Sequence, residues 1–168
     1  MTVGLAHSRS AVVGVISDTH GLLRPEAVEV LRGVDLLIHA GDVGTGEVLE
    51  ALSGVAPVVS VRGNVDHGEL RSRLPATADA EVAGVWIHVL HRLEDLDIDP
   101  KAAGFGVVVH GHTHRPETTS RDGVLYVNPG SIGPARFPLP VSLARLRIAS
   151  RHVRVETIVL DPVPSKRR

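Results

Sequence analysis

Short apolar runs alternate with polar breaks that carry glycine, and the spacing of the apolar positions changes from one half of the chain to the other. Residues 11–17 (AVVGVIS) form a β-rich run. Pro25 opens a helix at its first turn, Ala27, Val28, Val30 and Leu31 supply its apolar stripe, and Gly33 ends it. VDLLIHA (34–40) is the next apolar run, GEVLEALSG (46–54) the next helix, and PVVSV (57–61) the next strand. This βαβαβ order predicts parallel strands with crossover helices. The second half reads differently. EVAGVWIHVL (81–90) holds a glycine-centred turn and then a strand, and GVVVH (106–110) is strand-like. Arg121-Asp122-Gly123 separates ETTS from VLYV as a hairpin, and 141–148 and 152–160 flank a short Ser150-Arg151 turn. No internal repeat or low-complexity linker interrupts the pattern. One domain over residues 1–168 is therefore expected, with 1–10 and 161–168 as loose ends.

The polar residues that close each apolar run are more informative than the runs themselves. The first run ends in Asp18-Thr19-His20-Gly21, the second in Gly41-Asp42, and the third in Gly63-Asn64-Val65-Asp66-His67. VWIHVL ends in His91, and FGVVV in His110-Gly111-His112-Thr113-His114. In α/β sheets the carboxyl ends of the strands form the crest where ligands bind. Singly, each piece reads as a turn, a helix cap or a satisfied core histidine. Jointly, in order and always at strand ends, they point to a metal site. In Gly-His-Thr-His, alternate residues of an extended segment would face one way.

Composition sharpens this. The chain has 168 residues, 43% hydrophobic and 22% charged, which excludes a disordered chain. It has no Cys, so thiolate metal sites, disulfides and cysteine nucleophiles are excluded together. Its 18 Lys+Arg against 19 Asp+Glu argue against a general polyanion binder, and two Phe, one Trp and one Tyr are too few for a stacking platform. There is thus no nucleic-acid-binding signature. Ten His favour metal chemistry with nitrogen and oxygen donors. No apolar run is long enough for a membrane span or a secretory signal, so a cytoplasmic protein is expected.

The motifs SDTHG (17–21), HAGD (39–42), RGNVD (62–66), LH (90–91), GHTHRP (111–116) and NPGSIG (128–133) resemble those of the calcineurin-like metallophosphoesterases, in particular the small bacterial and archaeal phosphodiesterases. The resemblance covers roughly residues 11–150. It implies an α/β fold, a four-layer α/β/β/α sandwich with two mixed sheets. It also implies two divalent ions, with Mn²⁺ heading the candidates and Ni²⁺, Co²⁺, Fe²⁺ and Zn²⁺ as alternatives. One ion would be held by Asp18, His20, Asp42 and His114, the other by Asp42, Asn64, His91 and His112, with Asp42 bridging both. Catalysis would then centre on Asp42, Asn64 and His91 and a hydroxide bridging the metals. The implied substrate is a small or generic phosphodiester, contacted by Asn64, with Arg115 and Arg136 as further candidates.

Two positions depart from the family pattern. Val65 stands where many members carry a histidine that serves as general acid, and Arg92 follows His91 where glycine is frequent. His67, two residues beyond Val65, has nothing in its local sequence to bring it to the site. His39 is expected to orient Asp42 or to sit satisfied in the core, His110 to be structural, and Asn128 to Ser131 to form a supporting turn. His7, His88 and His152 are expected at the surface or in packing. A phosphomonoesterase and a non-catalytic protein-binding scaffold of the same fold are the alternative functions; homo-oligomerisation is left open.

Overall fold

Strand β2 (Ser10–Ile16) shows how the pattern builds layers. Val13 and Val15 are fully buried on one face, while Val12 and Ile16 pack on the other. A strand apolar on both faces must lie between two layers. The computed structural model describes residues 3–5, 9–136 and 138–161. In it β2 lies between β10 (Val141–Ala149) and β3 (Leu36–His39). The sheet is completed by β4 (Val58–Ser60) beside β3 and by β11 (His152–Asp161) beside β10. A second sheet runs β1 (Val3–Leu5), β5 (Thr77–Val82), β6 (Val85–Leu90), β7 (Phe105–Val109), β9 (Val124–Asn128) and β8 (Glu117–Arg121).

The two sheets pack face to face. Their shared core takes Val13, Val15, Leu36, Ile38 and Leu146 from one sheet and Val82, Ile87, Val107 and Val127 from the other. Helices α1 (Pro25–Leu31) and α2 (Gly46–Ser53) cover the outer face of the first sheet through Ala27, Leu31, Val48 and Leu52. The outer layers are unequal. Beyond the second sheet, Leu90, Val108, Val124 and Tyr126 are covered by Leu93 of a single 3₁₀ turn (Leu93–Asp95) and by Leu96.

Strand direction is what positions the site. β2, β3 and β4 are mutually parallel, and so are β6, β7 and β9. Each sheet therefore sends three carboxyl ends to one edge of the sandwich. Beyond the strands the connections keep pairing: the Asp18 N–H donates to Gly41 O, His20 N–H to Asp42 O, and Gly111 N–H to His91 O, all within 3.0 Å.

The predicted elements from β2 to β4 form with shifts of a residue or two at their ends. The terminal expectation needs correction, because Val3–Leu5 is a strand paired in parallel with β5 and Asp161 still belongs to β11. The other expected loose positions, 1–2, 6–8 and 162–168, lie outside the described residues, as does residue 137. Two further elements had no sequence signal. Helix α3 (Gly68–Arg73) lacks an apolar stripe, and most of β5 precedes the apolar run that marked this region. Among the described residues no helix is long and apolar enough to cross a membrane.

Gly14 is where the outer layer approaches the sheet most closely. A Cβ there would stand 2.6 Å from Leu31 Cδ2 and 2.8 Å from Leu37 Cδ2, on two side chains that are themselves fully buried. Overpacking of this kind typically costs about 1–3 kcal/mol. Gly14→Ala is expected to lower stability by that amount, read as a drop in the denaturant midpoint at unchanged slope.

Candidate metal centre

Asp18 comes directly after β2 and Ser17 and is fully buried. Its Oδ2 accepts from the Ser17 hydroxyl at 2.6 Å and from the His112 backbone N–H at 3.0 Å. Its Oδ1 is buried and receives no hydrogen bond. Facing it are His114 Nε2 at 3.2 Å and His20 Nε2 at 3.9 Å, and these two ring nitrogens stand 3.3 Å apart. The oxygen and the two nitrogens thus converge on one point from the loop after β2 and from the loop after β7.

A second convergence lies beside it. His91 Nδ1 donates to Ala40 O at 2.7 Å, which turns Nε2 toward Asp42 Oδ2 at 3.3 Å and Asn64 Oδ1 at 3.0 Å. A ring that donates one N–H to a backbone carbonyl and offers its other nitrogen forward is the usual arrangement of a metal-ligating histidine. Asp42 Oδ1 accepts from the Val65 N–H at 2.9 Å. Burial works against the Asp42 carboxylate, but the His91 and Val65 hydrogen bonds outweigh it and hold its pKa below the usual range. Burial likewise opposes a charged His91, and Asp42 and Asp18 overcome it and raise that pKa. For His20 burial prevails, and the pKa is lowered.

Both acceptor sets fit a divalent cation. An orphaned buried carboxylate oxygen beside two opposed imidazole nitrogens is costly unless a positive charge lies among them. The donors are nitrogen and oxygen throughout, the mixture that suits first-row divalent metals. Asp18, His20 and His114 form one group whose ligand atoms lie within 4.8 Å of one another; Asp18, Asp42 and His91 form another. Asp18 is common to both, whereas the resemblance gave the shared position to Asp42. His112 lies in neither group. Its ring meets His91 edge-on, centroids 5.2 Å apart.

The loops hold these side chains by unusual backbone. Asp18, His20, Asp42, His112 and His114 all have positive φ, between 47° and 71°. The extended geometry expected for Gly-His-Thr-His is therefore replaced by left-handed turns, which deliver both imidazoles from a short loop. Close approach also explains Gly63 and Gly111: a Cβ on the first would collide with the Asp42 carboxylate, and on the second with the Ser17 hydroxyl.

Several buried groups support these loops, and of them Asp66 carried no sequence signal of its own as a support. Asp66 is buried and accepts from the backbone N–H groups of Val43 at 3.2 Å, Gly44 at 2.9 Å and Gly63 at 2.7 Å, tying the loop of Asp42 to that of Asn64. His39 Nδ1 accepts from the Gly41 N–H at 3.2 Å. Its Nε2 therefore carries the proton and donates to Thr19 Oγ1 at 2.9 Å, and Thr19 donates onward to Val43 O at 2.8 Å. His39 thus acts on the backbone that flanks Asp18, His20 and Asp42. The Asn128 amide donates to Gly111 O and Thr113 Oγ1, both at 3.0 Å, and the Ser131 hydroxyl donates to Asp18 O at 3.0 Å.

The remaining candidates lie around this cluster. Arg136 is exposed but close enough for its charge to disfavour protonation of His20. Arg115 is exposed, and Arg92 is half-buried with its guanidinium on Glu94. His67 lies exposed at the start of α3. His110 is buried against Asn128. His88 sits on the outer face of its sheet, 2.7 Å from Asp79. His152 is exposed at the start of β11, and His7 lies outside the described residues.

A two-sheet sandwich with an N/O donor cluster at its shared edge defines a class of metal-dependent ester hydrolases. The model of the calcineurin-like phosphoesterase superfamily domain matches residues 12–151, and the chain belongs to that superfamily. It is a hydrolase of phosphoric esters. Over 154 residues it is 36% identical to a probable metallophosphoesterase of Methanocaldococcus jannaschii, covering 83% of this chain and 77% of that one. Over 161 residues it is 29% identical to phosphodiesterase YfcE of Escherichia coli, covering 77% and 84%. An archaeal phosphodiesterase structure matches with TM-score 0.74 at 23% identity, covering 89% of this chain and 99% of that one. Vps29 of Cryptosporidium parvum matches with TM-score 0.73 at 18% identity, covering 90% and 98%. These two likenesses are of fold.

Complete burial lowers the His39 pKa to about 4. The unfolded chain, with a histidine pKa of about 6.5, then takes up the proton first. The stability that neutral His39 contributes is fully present above pH ~6.5 and is lost as pH falls toward 4, by up to about 3 kcal/mol. Denaturant titrations in chelator at stepped pH are expected to show a shallower loss over this interval for His39→Gln than for wild type. Parallel curves would exclude His39 as the group responsible.

Proposed function

We propose that the chain is a single-domain phosphodiesterase that works with two divalent ions on small phosphodiesters. Asp18, His20, Asp42 and His114 hold one ion; Asp42, Asn64, His91 and His112 hold the other. The observation that carries this reading is a double convergence of ligand-type atoms, on Asp18 Oδ1, which receives no hydrogen bond, and on His91 Nε2, which faces Asp42 Oδ2 and Asn64 Oδ1. The names of YfcE and of a second Methanocaldococcus jannaschii relative, phosphodiesterase MJ0936, 28% identical over 136 residues, support the diester class. The nitrogen and oxygen donor set admits several first-row divalent ions; Mn²⁺ is the first candidate, with Ni²⁺, Co²⁺, Fe²⁺ and Zn²⁺ as alternatives.

When bound, the ions supply a water acidic enough to attack near neutral pH and positive charge for the phosphate oxygens. The chain's own groups do the rest. The Ala40 carbonyl fixes His91 in the tautomer that presents Nε2. With Asn64 Oδ1 turned to His91, its amide N–H groups remain as donors for a phosphate oxygen, on a residue that is exposed at the crest. Arg136 and Arg115 add positive charge on the His20 and His114 side. Acid catalysis is the weak point of the site: Val65 is exposed beside Asn64 and has no proton to give.

A scaffold role is the competing reading, since Vps29 structures share the fold. One of them, from Entamoeba histolytica, is a complex with Zn²⁺, so metal binding alone does not separate the two; turnover does. Hydrolysis of bis(p-nitrophenyl) phosphate, absent in chelator and restored by Mn²⁺, is the deciding assay.

Metal analysis is expected to find two equivalents in wild type and to lose both in Asp42→Asn. Retention of both with unchanged affinity would remove Asp42 from the shared position. Because Val65 supplies no general acid, the wild-type rate is expected to fall steeply as leaving-group pKa rises across a series of aryl and alkyl phosphodiesters. General acid catalysis is worth ~10²–10⁴ when well placed, so Val65→His is expected to recover about tenfold, for alkyl esters only. Equal gains for both ester types would exclude an acid role for the new imidazole.

A further inference from the structure

Beside Asn64 and His91, on the flank away from His20 and His114, the surface sinks into a groove of about 260 Å³. Its walls bring together three arginines from three separate segments: Arg62 after β4, Arg71 of α3, and Arg92 after β6. Asn64 and His91 line the same groove, so it opens directly onto the candidate centre. The three guanidinium groups are in different states. Arg62 is anchored, donating from Nη1 to Leu74 O at 3.0 Å. Arg71 is exposed on α3, and its guanidinium has no hydrogen-bond or ion-pair partner among the described residues. Arg92 donates from Nε and Nη2 to a single Glu94 oxygen, at 2.9 and 2.7 Å, and lies 3.8 Å from Asp95.

Three like charges gathered in one concavity repel one another, and among the described residues Asp95 is the only carboxylate lining it. The Arg92–Glu94 pair is solvent-exposed, the kind of ion pair that contributes little and is readily exchanged for a better acceptor. Guanidinium forks match the oxygens of a phosphate, which can take several donors at once. We propose that this groove holds a second phosphate of the substrate. The protein would then prefer phosphodiesters that carry a phosphomonoester on one arm over diesters with two uncharged arms. This rests on the phosphodiesterase reading and adds the substrate class to it.

The test uses a matched pair of esters with one leaving group: the p-nitrophenyl ester of thymidine 5′-phosphate, and the same ester bearing a 3′-phosphate. Wild type, metal-loaded, is expected to show a kcat/KM ratio of about tenfold or more in favour of the 3′-phosphorylated ester, the scale of a charge-assisted fork. The Arg71→Gln/Arg92→Gln double variant is expected to bring the ratio close to one, whereas Glu94→Gln, which frees Arg92, is expected to raise it. Turnover of the plain ester with a wild-type ratio near one, or a ratio that survives in the double variant, overturns the groove and leaves the phosphodiesterase reading intact. If neither ester is cleaved, the phosphodiesterase reading fails, and calorimetry then decides the groove. Tighter binding of thymidine 3′,5′-bisphosphate than of thymidine 5′-monophosphate, lost in the double variant, supports it; equal binding overturns it.

Discussion

Lone pairs repel, and the edge of this sandwich crowds them together. Asp18 Oδ1, the Nε2 atoms of His20 and His114, Asp42 Oδ2, Asn64 Oδ1 and His91 Nε2 are drawn into one small volume with few protons to share. Left to themselves these groups would turn outward to water. Backbone holds them in place instead. Each non-glycine residue in the left-handed region costs roughly 1–2 kcal/mol, and five of the seven candidate ligands adopt it. Interloop hydrogen bonds and the carboxylate of Asp66 offset that strain. A cation entering such a site finds donors already oriented, and it removes the repulsion that the fold otherwise bears.

The core serves this arrangement by being rigid where the loops begin. Val13, Val15, Leu36 and Ile38 on one sheet and Ile87, Val107 and Val127 on the other are buried to within 1% exposure, and each lies a few residues before a site loop. Three parallel strands per sheet give six loops a common origin, so small relative movements of the loops require movement of a packed sheet. Preorganisation of this kind is what catalysis by electrostatics needs.

The candidate ligands could be picked out in the sequence because, in order along the chain, apolar runs stop at Asp, Asn or His; the joint pattern carries what no single piece does. The partners of their supports could not. Asp66 reads as an ordinary turn residue beside Asn64, and only the folded chain shows three N–H groups from two loops ending on it. His39 sits inside an apolar run, and its link to Thr19 spans two neighbouring strands, a relation that one-dimensional periodicity does not contain. The geometry of Gly-His-Thr-His departs from expectation for a related reason: alternation in sequence suggests extended backbone, while crowding at the site demands left-handed turns. In the fold, β1, α3 and most of β5 escaped because their stabilisation comes from the sheet or layer that they join rather than from their own patterning.

One of the two neighbours of β2 in its sheet is β10, which comes after it by more than a hundred positions. On a ribosome that adds ~5–20 residues per second, this separation amounts to an interval on the order of ten seconds. Throughout that time one edge of β2 is an open row of peptide groups, and before it ends every candidate ligand has been synthesised. The first sheet closes only when the last hairpin arrives. Maturation of the centre is thereby coupled to synthesis of the β10–β11 hairpin, and until then the exposed edge of β2 is open to pairing with a wrong strand.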